Sequence, residues 1–249
     1  MDKASPSDSA TVLRDIPLLA GLPESTLATL NHRLAVGHHP PDKLLIIEED
    51  WGTTVYFILQ GWVKIRTHNR EGREITLNIL GPGEIFGEMA ALASSSRSTD
   101  VVSVTPVTLG TLSSRDFMAL VQQEPVVGLH LSQLMSKRLR QLNRRLRVRE
   151  SDSVARVADV LLFLAEGQGR PSTQGVEIPN LPHRELGSLS GLTRETVTRV
   201  LRRLEQEGVI ERVQGRTRRG TEDATALDDA GHRGAIRVPD LHSLENLLA

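Results

Sequence analysis

Two short clusters in this chain have residue types and spacing that could do chemistry. The first lies in Leu192-Thr-Arg-Glu-Thr-Val-Thr-Arg-Val-Leu201. Leu192, Val197, Val200 and Leu201 recur at helical spacing, so Arg194, Glu195 and Arg199 project together from the opposite face. An arginine can donate two hydrogen bonds to guanine O6 and N7, and a glutamate can accept one from cytosine N4. A short helix carrying that face suits the reading of base edges in a major groove. The second cluster is Gly87-Glu-Met-Ala-Ala-Leu92, followed by Arg97-Ser98. A helix opening at Glu88 presents backbone amides that favour an anion. Arg97 can reach back to the same point and bind a phosphate bidentately, and Glu88 can accept a bond from a sugar hydroxyl. The set suits a cyclic phosphate on a ribose. Taken alone the signal is weak, and a buried Glu–Arg salt bridge is the favoured reading.

Each cluster needs elements to position it. Before the decapeptide, His183–Ser190 forms a second short amphipathic segment, with Gly187 small enough for a close helix crossing and Gly191 at the turn. After it, Leu204 extends the buried stripe, Gly208 ends the helix, and Val209–Val213 alternates like a strand of a wing. Around the second cluster the period is that of strands. Val55–Ile65 reads as strand, glycine break, strand; Glu74–Leu80 and Val101–Leu112 continue the pattern, which implies a β-barrel or jelly roll. A long helix over Val126–Val148 joins the two regions. Its Met135, Leu139, Leu142 and Leu146 are spaced four, three and four, the seam of a two-stranded coiled coil and a natural homodimer axis. Arginines that include Arg138, Arg144 and Arg145 flank the seam, and Leu134 falls off it, toward its own domain. Arg149–Ser153 reads as a hinge, Val154–Ala165 as a helix, Gly167–Gly175 as a loop and Val176–Ile178 as a strand.

The formal net charge of −1 conceals a segregation. Residues 1–130 carry 10 basic and 15 acidic groups, residues 131–220 carry 18 and 10, and residues 221–249 carry 2 and 6. A basic middle beside acidic flanks fits a nucleic-acid-binding module attached to something that must not adhere to DNA. With no cysteine there are no disulfides or thiolate metal sites, which fits a reducing cytoplasm. No apolar run approaches a membrane span, and Met1–Asp15 lacks the apolar core of a signal peptide. No nucleophile–base pair or metal spacing appears, so neither a catalytic residue nor a metal ligand is assigned, and no enzyme is expected. His38-His39 reads as an exposed turn.

The run Thr-Arg-Glu-Thr-Val-x-Arg, within residues 183–213, resembles the winged helix-turn-helix of the bacterial Crp/Fnr family of transcription regulators. Phe-Gly-Glu-Met-Ala-x-Leu…Arg-Ser resembles the phosphate-binding cassette of cyclic-nucleotide-binding domains. The likeness runs from about Leu18 to Val213. It implies an α+β chain with a β-roll effector domain at 13–125, a dimerisation helix and hinge at 126–150, and a winged helix-turn-helix at 151–249. Outside the likeness, a Ser-, Asp- and Ala-rich composition gives a disordered tail at 1–12, and a loop longer than the family's wing gives an insertion at about 214–234. The likeness further implies that Arg194, Glu195 and Arg199 read bases and that Thr193 and Thr196 touch phosphates, on a palindrome of TGTGA type bound by a homodimer. Gly87, Glu88, Arg97 and Ser98 would hold the sugar and phosphate of a cyclic nucleotide, with cyclic AMP as allosteric ligand and no obligatory cofactor. The purine end falls at Leu142 and Asn143, of which only Asn143 can form hydrogen bonds. Pro41-Asp-Lys43 and Glu49-Asp-Trp51 stand where the family has glycine-containing turns, and Ser190 stands at a position usually apolar. The Gly167–Gly175 loop would contact RNA polymerase, and Arg216–Arg219 would touch DNA phosphates. Two alternatives stay open: a family member that needs no ligand or senses another effector, and, more remotely, a regulatory subunit of a cyclic-nucleotide-controlled enzyme.

Overall fold

The computed structural model describes residues 13–214 and 234–248. The tail expected at 1–12 and nearly all of the expected insertion, Arg216–Arg219 included, lie outside the described residues. The chain divides into two compact units, Met1–Arg138 and Leu139–Ala249.

In the first unit a 3-10 turn at Pro17–Leu19 leads to α1 (Glu24–Arg33). Strands β1 (Ala35–His39), β2 (Leu44–Ile46), β3 (Thr54–Gln60), β4 (Val63–His68), β5 (Glu74–Leu80) and β6 (Ile85–Phe86) follow. Then come α2 (Glu88–Ala93), β7 (Asp100–Ser103), β8 (Val107–Ser113) and α3 (Ser114–Gln123). The strands pair antiparallel in two four-stranded sheets of order β1-β8-β3-β6 and β2-β7-β4-β5. Both sheets contribute to one core, with Ile58, Phe86 and Leu109 from the first and Val63, Leu80 and Val101 from the second. This is the interdigitation that holds a β-roll closed. A second core under the helices gathers Leu19, Phe57, Phe117, Val127 and Leu131. Its last two members lie on α4 (Pro125–Val148), the long helix read from sequence. Leu134 packs against this core as expected, and so does Met135, which the seam had claimed.

Two turns adopt the conformation glycine favours at a residue that is not glycine: Asp42 has φ 59° and Glu49 φ 69°. A left-handed non-glycine residue costs about 1 kcal/mol, so the surrounding strands hold these turns against a local preference. His38 and His39 end strand β1, paired with Thr108 and Val107, and do not form a turn. Their polarity suggested a loop, but pairing with β8 decides the conformation.

The second unit begins inside α4. It continues with α5 (Ser153–Gln168), β9 (Arg170–Ser172), β10 (Gly175–Pro179), α6 (His183–Ser190), α7 (Arg194–Gln206), β11 (Glu211–Gln214), β12 (Gly234–Val238) and α8 (Leu241–Asn246). Its sheet has the order β11-β12-β10-β9. The Gly167–Gly175 stretch, expected as loop, holds the end of α5 and strand β9, which pairs with β10. Three residues of strand between glycines leave too short a pattern to read. Asp152 caps α5 by accepting bonds from the Val154 and Ala155 amides, both at 2.9 Å. Asp159 of α5 is 1% exposed and receives Arg144 Nε of α4 at 2.5 Å. Arg144 and Gln141 also donate to Glu166, and Arg145 lies over the Phe163 ring, 5.1 Å from its centroid. Desolvating these charges is costly, and the converging donors offset it.

Candidate functional site

Helix α7 is built as a two-faced element. Thr193 caps it, its hydroxyl accepting from the Thr196 amide at 3.3 Å. Val197, Val200, Leu201 and Leu204 are 0–3% exposed, and burying each such side chain contributes about 1.5–3 kcal/mol. That anchoring leaves Arg194, Glu195 and Arg199 exposed on the outer face, as the sequence implied. They line an open concavity together with Thr198, Arg202, Arg203 and Gln206. The Glu195 carboxyl is held below its usual range, first by its own backbone amide and then by the Thr193 hydroxyl. An ionised carboxylate is an acceptor only, which is what a cytosine amino group requires. Thr193 is exposed and Thr196 half-buried, their hydroxyls 3.1 Å apart.

The helix before it sets the angle of presentation. Gly191 has φ 65° and caps α6. A side chain at Gly187 would come within 2.7 Å of the Leu192 carbonyl, so the close crossing depends on that glycine. Arg156 of α5 clamps the turn, with Nε and Nη2 donating to the Ser190 carbonyl at 2.9 and 2.6 Å and Nη2 to the Gly191 carbonyl at 2.6 Å. Ser190 is buried, and its hydroxyl donates to the Gly187 carbonyl at 3.2 Å, so a polar side chain is accommodated at a position usually apolar. Sequence reasoning missed Arg156, which no spacing ties to a turn 34 residues away. It also missed Arg202 and Arg203, although three and four residues beyond Arg199 they share its face.

The second cluster assembles in the first unit. Tyr56 of β3 stacks on Phe86 with ring centroids 4.7 Å apart, and the chain then turns through Gly87, with φ 81°, into α2. Arg97 is 5% exposed. Its Nη1 donates to the Gly87 carbonyl at 2.8 Å and its Nη2 to the Thr54 carbonyl at 2.7 Å. Glu88 is 2% exposed, and its Oε1 accepts from Nη1 of Arg138 at 2.6 Å. Nη2 of Arg138 reaches the Ile85 carbonyl, also at 2.6 Å. A buried Glu–Arg pair does form, but the arginine comes from α4, leaving Arg97 to the backbone carbonyls. Sequence reasoning placed Arg138 among the charges flanking the seam. The signal it overlooked is helical spacing: Leu131, Leu134 and Met135 face the core, and Arg138 continues that stripe.

The remaining candidates are exposed. Ser98 is exposed beside Arg97. Asn143 is an exposed residue of α4 beyond Arg138. Leu139, Leu142 and Leu146 are 58, 44 and 57% exposed, an apolar stripe within a single chain. Among the described residues no group of histidine, aspartate and glutamate could hold a metal ion, and no helix is long and apolar enough to cross a membrane.

A β-roll with a buried arginine and glutamate beside a helix start, together with a helix-turn-helix whose second helix presents arginines, defines a ligand-binding module joined to a DNA-binding module. Comparison with known proteins gives the family. Residues 37–124 match the cyclic nucleotide-binding domain, and residues 155–230 match the Crp-like helix-turn-helix domain. The chain is 36% identical over 204 residues to the cyclic AMP receptor protein of Thermus thermophilus, covering 80% of this chain and 89% of the relative. It is 27% identical over 208 residues to a CRP-like cAMP-activated global transcriptional regulator of Mycobacterium tuberculosis, covering 83% and 92%. Among solved structures, FixK2 of Bradyrhizobium japonicum shares the fold with a TM-score of 0.65 at 20% identity, over 87% of this chain and 98% of that one. A CRP/FNR family transcriptional regulator of Thermus thermophilus gives 0.54 at 25% identity, over 86% and 98%. The chain belongs to the Crp/Fnr family and is a transcription regulator with a cyclic nucleotide-binding domain and a helix-turn-helix DNA-binding domain.

Proposed function

We propose that the protein is a homodimeric regulator whose affinity for a palindromic DNA site is set by cyclic AMP held in the β-roll. The observation that carries this reading is the convergence at Gly87 of a buried arginine fixed by backbone carbonyls and a buried glutamate paired to the long helix. Arg97 would bind the cyclic phosphate with Ser98 beside it, and the Gly87 amide would add a donor. Glu88 would accept from the ribose hydroxyl, and in doing so would change its bond to Arg138. Ligand binding would thereby alter a contact made by α4, the helix whose exposed Leu139, Leu142 and Leu146, with Met135, form the dimer seam. A ligand shifts a two-state equilibrium only by its differential affinity for the two states, and the Glu88–Arg138 pair supplies such a difference. Two copies of α7 would then meet successive major grooves of a TGTGA-type palindrome, with half-sites one helical turn apart or a multiple of it. Arg194, Glu195 and Arg199 would read bases, and Thr193 and Thr196 would hold phosphates. The relatives named as a cyclic AMP receptor protein and as a cAMP-activated regulator support the ligand assignment. Contact with RNA polymerase, by the β9 region, belongs to the same proposal.

One observation favours a second reading, a regulator of the same family with another effector or none. Leu142 stands where the resemblance puts a purine contact, and it offers no hydrogen bond. Calorimetric titration with cyclic AMP and cyclic GMP separates the two. The first reading expects binding of cyclic AMP and a steep rise in DNA affinity; silence with both ligands and unchanged DNA affinity would leave the second. Selecting bound DNA from a random pool, with and without cyclic AMP, tests the palindrome.

A further inference from the structure

Gly52 precedes β3 and is not among the glycines with positive φ, so its backbone does not require glycine. Its surroundings do. A Cβ built at Gly52 would lie 2.1 Å from Arg97 Nε, 2.3 Å from Nη2 and 2.4 Å from Cζ. The guanidinium thus fills the volume a side chain at position 52 would take. A Cβ at Gly87 would likewise lie 2.7 Å from Nη1. Between these two glycines the guanidinium is held by the Gly87 and Thr54 carbonyls at 2.8 and 2.7 Å. Its own backbone is pinned as well: the Arg97 amide donates to the Asp50 carbonyl at 2.9 Å, and the Glu49 amide donates to the Arg97 carbonyl at 2.8 Å. The turn over residues 49–52 has therefore divided its duties. Glu49 takes the left-handed conformation, with φ 69°, and the glycine is spent on space.

We infer that Gly52 is the positioning residue for Arg97: with Gly87 it forms a cradle that holds the guanidinium flat against backbone, oriented for an incoming phosphodiester anion. The inference rests on the cyclic-nucleotide reading for the identity of that anion, and on the geometry alone for the cradle. A guanidinium has five N–H donors. The two carbonyls engage one each on Nη1 and Nη2, which leaves donors for an oxyanion without dismantling the seat. Fixing a side chain before the ligand arrives removes an ordering cost from binding.

Gly52→Ala is a clean test, because the atoms a methyl group would meet are the far end of one long side chain and not backbone. Gly87→Ala is not, since φ 81° and the Thr54 carbonyl at 3.1 Å would strain the chain itself. The measurement is hydrogen exchange of the Arg97 Nη–H groups by nitrogen-edited NMR on the full-length, ligand-free protein, with the resonances assigned by their disappearance in Arg97→Lys. It is paired with calorimetric titration of cyclic AMP. The expected result is slowly exchanging Nη–H groups in the parent, a protection lost in Gly52→Ala, with a dissociation constant for cyclic AMP raised about tenfold. Rapid exchange in the parent, or protection that survives Gly52→Ala, would overturn the cradle whether or not cyclic AMP binds. Protection lost with unchanged affinity would overturn its role in binding. If the parent protein shows protection but takes up neither cyclic AMP nor cyclic GMP, the cyclic-nucleotide reading fails instead. Titration of both proteins with inorganic phosphate then decides the cradle: weaker uptake by Gly52→Ala supports it, and equal uptake overturns it.

Discussion

The arginines of α7 and those around Gly87 are placed in opposite ways. On α7 they stand in solvent on an open face, Arg194 and Arg199 beside Arg202 and Arg203. Around Gly87 they are withdrawn, Arg97 beneath two backbone carbonyls and Arg138 on a buried carboxylate. The difference follows from the targets each suits. A DNA groove is wide, brings its own counterions and is approached by diffusion, so charge serves it best when projected. A single small anion must be enclosed, and an enclosed arginine needs partners while the anion is absent. Exposure thus suits long-range attraction and base readout, and burial suits selectivity for one ligand.

This contrast can be broken at either end. The largest effect is expected for Arg97→Lys, because an ammonium cannot reproduce a bidentate, carbonyl-anchored fork. Loss of about 2–3 kcal/mol, roughly 30- to 150-fold in cyclic AMP affinity, is expected from a charge-assisted bond of this kind. DNA affinity without ligand should stay as it was; calorimetry and fluorescence anisotropy read the two. Glu195→Ala comes next. It should relax the choice of base at one position of each half-site by about tenfold in a binding selection, and equal loss on every sequence would refute direct readout. The preference should also be flat with pH. Since the Glu195 pKa lies below its ordinary 4.5, the carboxylate stays ionised throughout neutral and mildly acid buffers. Selectivity should fade only as the pH falls below that value. Arg202→Ala should act differently, weakening binding to all sequences alike and lowering the slope of log affinity against log salt by about 1. The smallest effect lies outside both regions. Glu74 pairs with Lys64 and Arg66, each at 2.7 Å. Burial works to raise its pKa, but these two cations outweigh it and bring the value below 4.5. A depressed folded-state pKa stabilises above the unfolded value, and that contribution is lost as pH falls through the folded one. Glu74→Gln should therefore cost about 0.5–1 kcal/mol at neutral pH, and the gap in melting temperature should close below pH 4.5.

The two regions also differed in how legible they were. Helix α7 is amphipathic, so one pattern of apolar residues gave its buried stripe and its outer face, although Leu192, counted in that pattern, lies before the helix. The β-roll was legible as a succession of strands and glycine breaks, and Glu74–Leu80 was read with the bounds observed. The anion site was legible only in its contiguous part, Gly87 to Arg97. Arg138 arrives from a helix 50 residues later, and Gly52 acts through space it leaves empty, so neither leaves a local pattern. Met135 shows the converse. Its heptad spacing is real, yet the same side chain packs on its own core, because adjacent positions of one helix can serve two surfaces.

Helix α4 carries two commitments within a short interval. Arg138 holds Glu88 in one unit, and Arg144 holds Asp159 in the other. Six residues separate them, about 9 Å along the axis and less than two turns. The interval between is committed as well, since Gln141 is buried and donates to Glu166 while Leu139 and Leu142 belong to the exposed apolar stripe. One residue inserted or deleted directly after Arg138 would turn the helix beyond it by about 100° and carry Leu139, Leu142 and Leu146 off the face that Met135 occupies. The count of residues from 135 to 146 thus keeps a single apolar stripe in phase, which an altered side chain would weaken and an altered length would divide.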